Sequence, residues 1–431
     1  MVAKIADNSQ KIHIFILMFG VLGNAIIGGM AAFLQFHANL TPPKGFGLTI
    51  LEIGIIWGIS AIFGAVSNIF WGAISDRTRT RWGRRKPFMA IFAPITAILL
   101  WISVSVDTLF GFELIFWNFF LFTTLKNIFH SAASVPYTTV IPEVVPPEKR
   151  VIVSQLSAVV NGIGMALGAV VPTILYSLSD NFQLPFIIAG ILLVVLYYIS
   201  AAVIPAEKYK TIPISILHSL RWTFKDHNYM LFQVGQFLWT LALNIVLFII
   251  PFLAKDLIGV TDEREFGLLF ISFLLIAGVF LLVINFLVEK MHVQKKKALM
   301  FSLLFTAVSL PFFGLIGSHA FNFVPVLAQA YLFGSFMFIG LIGIFIFPYA
   351  IMMALINYDQ GMEATYNGVN GLILGLAAIP AGPLGATILL FGYPMAGIFC
   401  SLLVFASLMF MARVHVPEHL FQKKKLQESV T

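Results

Sequence analysis

The chain has 431 residues, 59% of them hydrophobic and only 10% charged, with a formal net charge of +7. A water-soluble domain carries roughly 25% charged residues, so a soluble globular fold is excluded, and the 44 phenylalanines suit a chain surrounded by lipid. The basic excess does not mark a nucleic-acid binder, because the lysines and arginines sit in short segments between apolar runs; a single cysteine, Cys400, excludes an internal disulfide.

The apolar runs are long enough to cross a hydrocarbon core about 30 Å thick. The first, from His13 to Ala38, is too long for the apolar region of a signal peptide and no small-residue cleavage pattern follows it, so it reads as a retained helix. Breakers and charges place helices near 13–38, 47–75, 88–107, 109–137, 151–178 and 183–204, then near 229–256, 264–288, 298–317, 323–353, 366–391 and 392–412. The organisation expected is a six-helix bundle over 1–204, a cytoplasmic linker over 205–228, a second six-helix bundle over 229–412 and a cytoplasmic tail over 413–431. Within the linker, Ile214, Leu217, Leu220 and Arg221 have the spacing of a short amphipathic helix on the membrane surface; an ordinary solvated connection fits equally well.

Orientation follows from the positive-inside rule. Only Lys44, Lys255 and Arg264 fall in segments on one side, Lys126 falls inside a helix, and the other basic residues gather on the side of the termini. Both termini are therefore expected in the cytoplasm. Six helices followed by six, with a basic loop after the second helix of each half, is the layout of two parallel repeats flanking a midplane site, the arrangement that alternating access requires.

The loop after the second helix is the most specific stretch: Ser75-Asp76-Arg77-Thr78-Arg79-Thr80-Arg81-Trp82-Gly83-Arg84-Arg85-Lys86-Pro87. Asp76 ends a helix, where arginines can bridge to it and to the open terminal carbonyls. Gly83 permits a tight turn, and Pro87 suits the first turn of the next helix. Such links can lock one side of a carrier and release it; they also set topology by positive charge alone. The stretch resembles the corresponding loop of the glycoside–pentoside–hexuronide symporters and of the plant-type sucrose transporters. A second match runs from Val135-Pro136-Tyr137 through Ile141-Pro142-Glu143 to Lys149-Arg150. The resemblance implies an all-α membrane protein of the major facilitator fold, with twelve transmembrane helices in two six-helix bundles. It further implies a sugar carrier, usually coupled to a proton or sodium ion, with Asp76, Arg77, Arg81, Gly83, Arg84, Arg85, Glu143 and Arg150 forming a cytoplasmic gate.

The chain departs from that family where coupling carboxylates are expected. The matching positions are Asn24 or Ala25, Gly64, Asn68 and Asn127, none of them acidic. The family's helix 5 arginine falls near Val160 and Asn161, and its helix 11 lysine has no counterpart between Gly368 and Leu390. Proton coupling needs a titrating group, for which His130, Lys126 and Glu143 are the candidates; a facilitator needs none. Sodium coupling is the least expected.

Polar residues recur at helical spacing on several spans. Thr123, Asn127, His130 and Ser134 share one stripe; Gln233, Gln236, Thr240 and Asn244 share another; Asn24, Gly28, Gln35, Ser60, Gly64, Asn68, Trp71 and Asn370 extend the set. Uncharged amides suit sugar hydroxyls because they donate and accept together, and Trp71 or Trp239 can stack on a sugar's apolar face. Lys126 within a span is costly and marks function by default. The substrate-binding candidates are thus Asn24, Asn68, Lys126, Asn127, His130, Gln236, Trp239, Asn244 and Asn370. Helix packing is the competing reading for each.

No HExxH, GxSxG, P-loop or paired intrahelical carboxylates occur, so no catalytic residue, metal ligand or cofactor is expected. The sequence reading is therefore a multi-pass transporter of the cell membrane. It moves a sugar or glycoside, with a proton as the candidate co-substrate, lipid as its surroundings and a monomer as the expected state. An exporter of an amphipathic drug or lipid is the alternative on the same fold, with a polytopic membrane enzyme or a channel more distant.

Overall fold

A computed structural model describes residues 2–145, 147–204, 223–290, 294–355 and 363–416. The first part of the chain forms α1 (Val2–Gly29), α2 (Ala31–Asn39), α3 (Ile50–Arg77), α4 (Lys86–Val104), α5 (Val106–Phe110), α6 (Ile115–Val144), α7 (Pro147–Ser179) and α8 (Gln183–Val203). The second part forms α9 (His227–Leu253), α10 (Glu263–Lys290), α11 (Lys295–Gly314), α12 (Val326–Leu355), α13 (Glu363–Ala378), α14 (Ala381–Leu389) and α15 (Tyr393–Arg413). Helix thus occupies each of the twelve predicted stretches, and no strand occurs among the described residues. Nine helices among these residues are long and apolar enough to cross a membrane, as expected of a multi-pass membrane protein. Most of the predicted linker, and the tail beyond Val416, lie outside the described residues.

Local chemistry explains the helix ends. Thr49 and Glu52 form a reciprocal capping box at the start of α3, and Asp226 accepts from the Tyr229 backbone N–H at 3.0 Å to cap α9. The structure also moves several predicted boundaries. The first stretch divides at Met30 into α1 and α2, just after Gly28 and Gly29. The third stops at Val104, the short α5 follows, and a reversal through Gly111, with φ of 75°, delays α6 to Ile115, whence it runs on to Val144. The eleventh divides at Ile379-Pro380 into α13 and α14, since proline has no N–H with which to continue the ladder.

Packing forms two groups. In the first, α1 lies on α7 and α8, α4 on α6 and α8, and α3 on α6; in the second, α11 lies on α12 and α15, and α9 on α13 and α15. The groups meet where α3 faces α13 and α14, where α7 faces α10 and α12, and where α2 faces α9 and α10. Small residues allow the closest of these approaches. A methyl group at Gly54 would come within 2.8 Å of the Gly382 carbonyl oxygen, and one at Gly382 within 2.6 Å of the Gly54 carbonyl oxygen.

Candidate solute site and the ends that flank it

The polar stripe of α6 is held in place from two sides. The Tyr137 hydroxyl donates to the Leu17 carbonyl of α1, and Ser60 of α3 hydrogen-bonds Thr124 at 2.8 Å. Since α1 and α6 are antiparallel, seven residues along each from the Tyr137–Leu17 contact bring Asn24 to the level of His130. Thr123, Lys126, Asn127 and His130 share the face adjoining these contacts. Thr123 is only 1% exposed, yet its Oγ1 has no hydrogen-bond partner; neither do His130 Nδ1 and Asn24 Oδ1. Buried polar atoms are normally satisfied, so these orphans on neighbouring helices make the face a candidate for receiving a polar solute.

The same reading applies to α1. Gly164 and Gly168 of α7 abut Ala25 and Ile26, while Gly20 and Gly23 abut Tyr137 and Leu196. The remaining face carries Asn24 and Gly28, and a methyl group at Gly28 would meet nothing within 4 Å. Gly64 of α3 and Gly371 of α13 also have open space beside them. Asn68 follows Gly64 by one turn and is half-buried.

Across the molecule, Gln233 Nε2 donates to Asn370 Oδ1 at 3.3 Å, joining α9 to α13. The two helices are further tied by Tyr229, whose hydroxyl donates to the Tyr366 carbonyl at 2.6 Å, and by Tyr366, whose hydroxyl donates to Asp226 at 3.1 Å. The Oε1 atoms of Gln233 and Gln236 nevertheless have no partner. Asn244, two turns beyond Gln236, is half-buried.

Trp239 behaves differently. It is 2% exposed and packs edge-to-face on Phe232 with ring centroids 5.9 Å apart. Gly235, one turn earlier, looks onto Ser407 and Met411 of α15. The indole therefore sits in the α9–α15 contact rather than beside the orphaned amides. Trp71 packs on Phe92 of α4, with centroids 4.8 Å apart. Sequence reading overlooked Trp57, whose buried Nε1 has no partner; its place one turn before Ser60 was the available signal. A separate apolar void, lined by Val246, Leu310, Phe313, Tyr393 and Cys400, lies within the second group and offers few polar atoms to a solute.

At the basic-loop end, Gly83 adopts a φ of 90° and donates its N–H to the Thr80 carbonyl at 3.0 Å, a turn that favours glycine. Arg85 is 4% exposed and donates to Ser75 Oγ at 2.5 Å, tying the loop back to the end of α3. Arg81 is exposed and lies over the Trp82 ring, 5.7 Å from its centroid; Arg84 is half-buried. The side chains of Asp76, Arg77, Glu143 and Arg150 lie outside the described residues.

The opposite end carries contacts that sequence reading missed entirely. His37 Nδ1 lies 2.7 Å from Glu263 Oε1, with the two side chains 8% and 3% exposed. The His37 ring stacks on Phe182 at 3.5 Å, and Phe36 stacks on Phe266 at 4.6 Å. Lys255 Nζ donates to both the backbone and side-chain oxygens of Asn39, each at 2.7 Å. Arg264 pairs with Asp180 at 2.7 Å on the surface. Except for the stacking on Phe182, each of these contacts joins the first group of helices to the second.

Comparison with known proteins gives this geometry a context. A family model described as MFS/sugar transport protein matches residues 33–417. The isoprimeverose transporter of Lactiplantibacillus pentosus is 24% identical over 183 residues, covering 39% of this chain and 38% of that protein. The lactose permease of Leuconostoc lactis is 28% identical over 170 residues, covering 37% of this chain and 26% of that protein. These matches therefore span well under half the length of either curated relative. The crystal structure of the nucleoside transporter NupG is similar in fold, with a TM-score of 0.62 at 16% identity, over 94% of this chain and 100% of that one.

Proposed function

The chain belongs to the family of MFS/sugar transport proteins, and we propose that it carries a sugar or glycoside across the membrane by alternating access. In this reading twelve spans form two six-helix bundles, over 1–204 and 229–412, with both termini in the cytoplasm. The observation that carries the site is a set of orphaned polar atoms in each of the two groups. Asn24, Thr123 and His130 come from one side, Gln233 and Gln236 from the other. Amides and hydroxyls that lack partners in the empty protein are suited to hydroxyl-rich solutes, which donate and accept at every position. Asn68, Asn127, Asn244 and Asn370 extend that lining. The end holding His37 and Glu263 is the outer gate, shut in this state, and the Asp76–Arg85 loop belongs to the inner gate.

The positions that match the family's coupling carboxylates are here Asn24 or Ala25, Gly64, Asn68 and Asn127, which favours facilitation. The test is uptake of labelled maltose, sucrose, melibiose and glucose by purified protein in liposomes with no gradient, a proton gradient or a sodium gradient. Saturable uptake that equilibrates without accumulating is the expected result. Accumulation driven by protons would replace facilitation with symport. No uptake of any sugar by folded protein would overturn the substrate class and favour an amphipathic solute.

A further inference from the structure

Trp57 of α3 is placed unlike the other tryptophans within the helices. Trp71 and Trp239 pack on phenylalanines, Trp117 packs on Phe116 and Phe120, and Trp101 donates to Gln183 at 3.4 Å. Among the described residues the Trp57 ring stacks on no other ring, and the side chain is only half-buried. Its Nε1 is nevertheless fully buried and donates to nothing. A buried tryptophan N–H ordinarily finds an acceptor.

The faces of α3 fix where the indole lies. At about 100° per residue, Gly54, Gly58 and Ala65 share the side that meets α13 and α14. Ser60 turns to Thr124 of α6, and Leu51, Ile62, Phe63, Val66 and Phe70 are exposed on the side left to lipid. Trp57, Gly64 and Asn68 lie within about 40° of one another, in the sector between α6 and the α13–α14 side. A methyl group at Gly64 would meet nothing within 4 Å, so this strip borders open space rather than a neighbouring helix. The seam beside it widens along the helix. A methyl group at Gly58 would meet Pro383 at 2.7 Å, one at Gly375 would meet Ala65 at 3.4 Å, and one at Gly371 would meet nothing within 4 Å. A methyl group at Gly382 would lie 3.2 Å from the Trp57 Cβ. The indole is therefore anchored where the two groups of helices are tightest, beside a space that opens towards the basic-loop end.

We propose that Trp57 is a solute-binding residue that covers the narrow end of the site: its N–H donates to a solute hydroxyl, and its uncovered ring face lies on the solute's apolar carbons. The proposal rests on the sugar-transport reading and adds to its lining a residue outside the amide stripes. Sugars suit such a side chain, because their hydroxyls accept a hydrogen bond while their C–H faces take an aromatic surface. The position also gives the contact a consequence for transport. Trp57 reaches the solute only while α3 lies on α14 at Gly54 and Gly382, so the hydrogen bond is made when this end is closed and lost when it opens. A solute that satisfies the N–H therefore favours closure by the free energy of that contact.

The experiment is uptake of labelled maltose, sucrose, melibiose and glucose by the purified full-length protein in liposomes, for wild type, Trp57→Phe and Trp57→Leu. The melting temperature of each empty protein is measured in detergent. Trp57→Phe keeps a ring but loses the N–H, so KM for a sugar that wild type carries should rise roughly 3- to 10-fold. Trp57→Leu also loses the ring face and should raise KM by roughly 3- to 10-fold more. Empty Trp57→Phe should melt at or above the wild-type temperature, because it lacks a donor that the empty protein leaves unsatisfied. In wild-type protein carrying isotope-labelled tryptophan, the indole N–H resonance that Trp57→Phe removes should move on addition of the same sugar. A fall in both melting temperature and uptake would make the indole a packing residue and overturn the proposal. An unchanged KM in both variants, or a Trp57 resonance that ignores the sugar, would overturn it while leaving sugar transport standing. No uptake of the four sugars by folded wild-type protein would overturn the sugar reading itself, a result visible without either variant.

Discussion

The end that holds His37 and Glu263 and the polar stripes within the spans differ in how fully their polar groups are paired. At that end His37, Asn39, Lys255, Glu263 and Arg264 all meet partners at 2.7 Å. Within the spans, Asn24, Thr123, His130, Gln233 and Gln236 each keep a buried atom unpaired. Both regions are costly to bury; the first recovers more of that cost within the protein, although Arg264 Nε and Gln35 Oε1 keep no partner there. On the proposed reading, the difference separates residues that hold a conformation from residues that receive a solute. It also explains why deleting a polar group should have opposite consequences in the two places.

The comparison can be broken most forcefully at the buried pair. Glu263→Gln takes away the carboxylate that His37 Nδ1 meets, and losing a hydrogen bond to a charged group costs about 1.5–3 kcal/mol. The closed end should therefore open, and cysteines placed near Asn39 should become reactive to an impermeant thiol reagent. Replacing both residues with apolar ones should restore most of the closed population, because a well-packed apolar pair is close to neutral in such sites. If Glu263→Gln leaves reactivity unchanged, the pair does not hold this end shut.

Next in size are the glycine contacts between α3 and α14. Gly382→Val forces a side chain against the Gly54 carbonyl oxygen. Overpacking of this kind costs about 1–3 kcal/mol, which shifts the closed-to-open ratio roughly 5- to 150-fold. The same reactivity assay reads it, with Gly371→Ala, beside open space, as the control that should change little.

Within the spans the sign reverses. Gln236→Leu removes an orphaned oxygen, so thermal stability in detergent should rise, by about 1 kcal/mol, while uptake of the transported solute falls. Loss of both stability and uptake would place Gln236 among the structural residues instead. The smallest effect belongs to Arg264→Ala. Its pair with Asp180 is 41% and 84% exposed on the two sides, and such surface pairs contribute about 0–1 kcal/mol, so closure should weaken only slightly and less still in high salt.

Much of the candidate site was legible because helical periodicity is local. The stripes Thr123–Asn127–His130 and Gln233–Gln236–Asn244 follow from spacing alone, and the structure leaves orphaned atoms on both. Trp239 shows where that reasoning stops. It lies on the same helix as Gln236, yet its own face meets Phe232 and α15, and no property of the α9 sequence says which face a distant helix will cover. Trp57 was passed over for the same reason. The His37–Glu263 pair was illegible because its members are 226 residues apart and meet only when the two groups of helices close on each other.

The sequence by itself determined where the helices run, that the chain lies in a membrane, and which residues are too polar to face lipid. Those properties depend on stretches of about twenty residues and on the hydrocarbon's refusal of unpaired polar groups. Only the tertiary structure decided which polar residues found partners, which kept an unpaired atom, and which contacts join the two groups of helices. Those outcomes depend on contacts between distant helices, set by glycine approaches such as Gly54 on Gly382 and by charges such as Glu263 that find their counterpart in the other half of the chain.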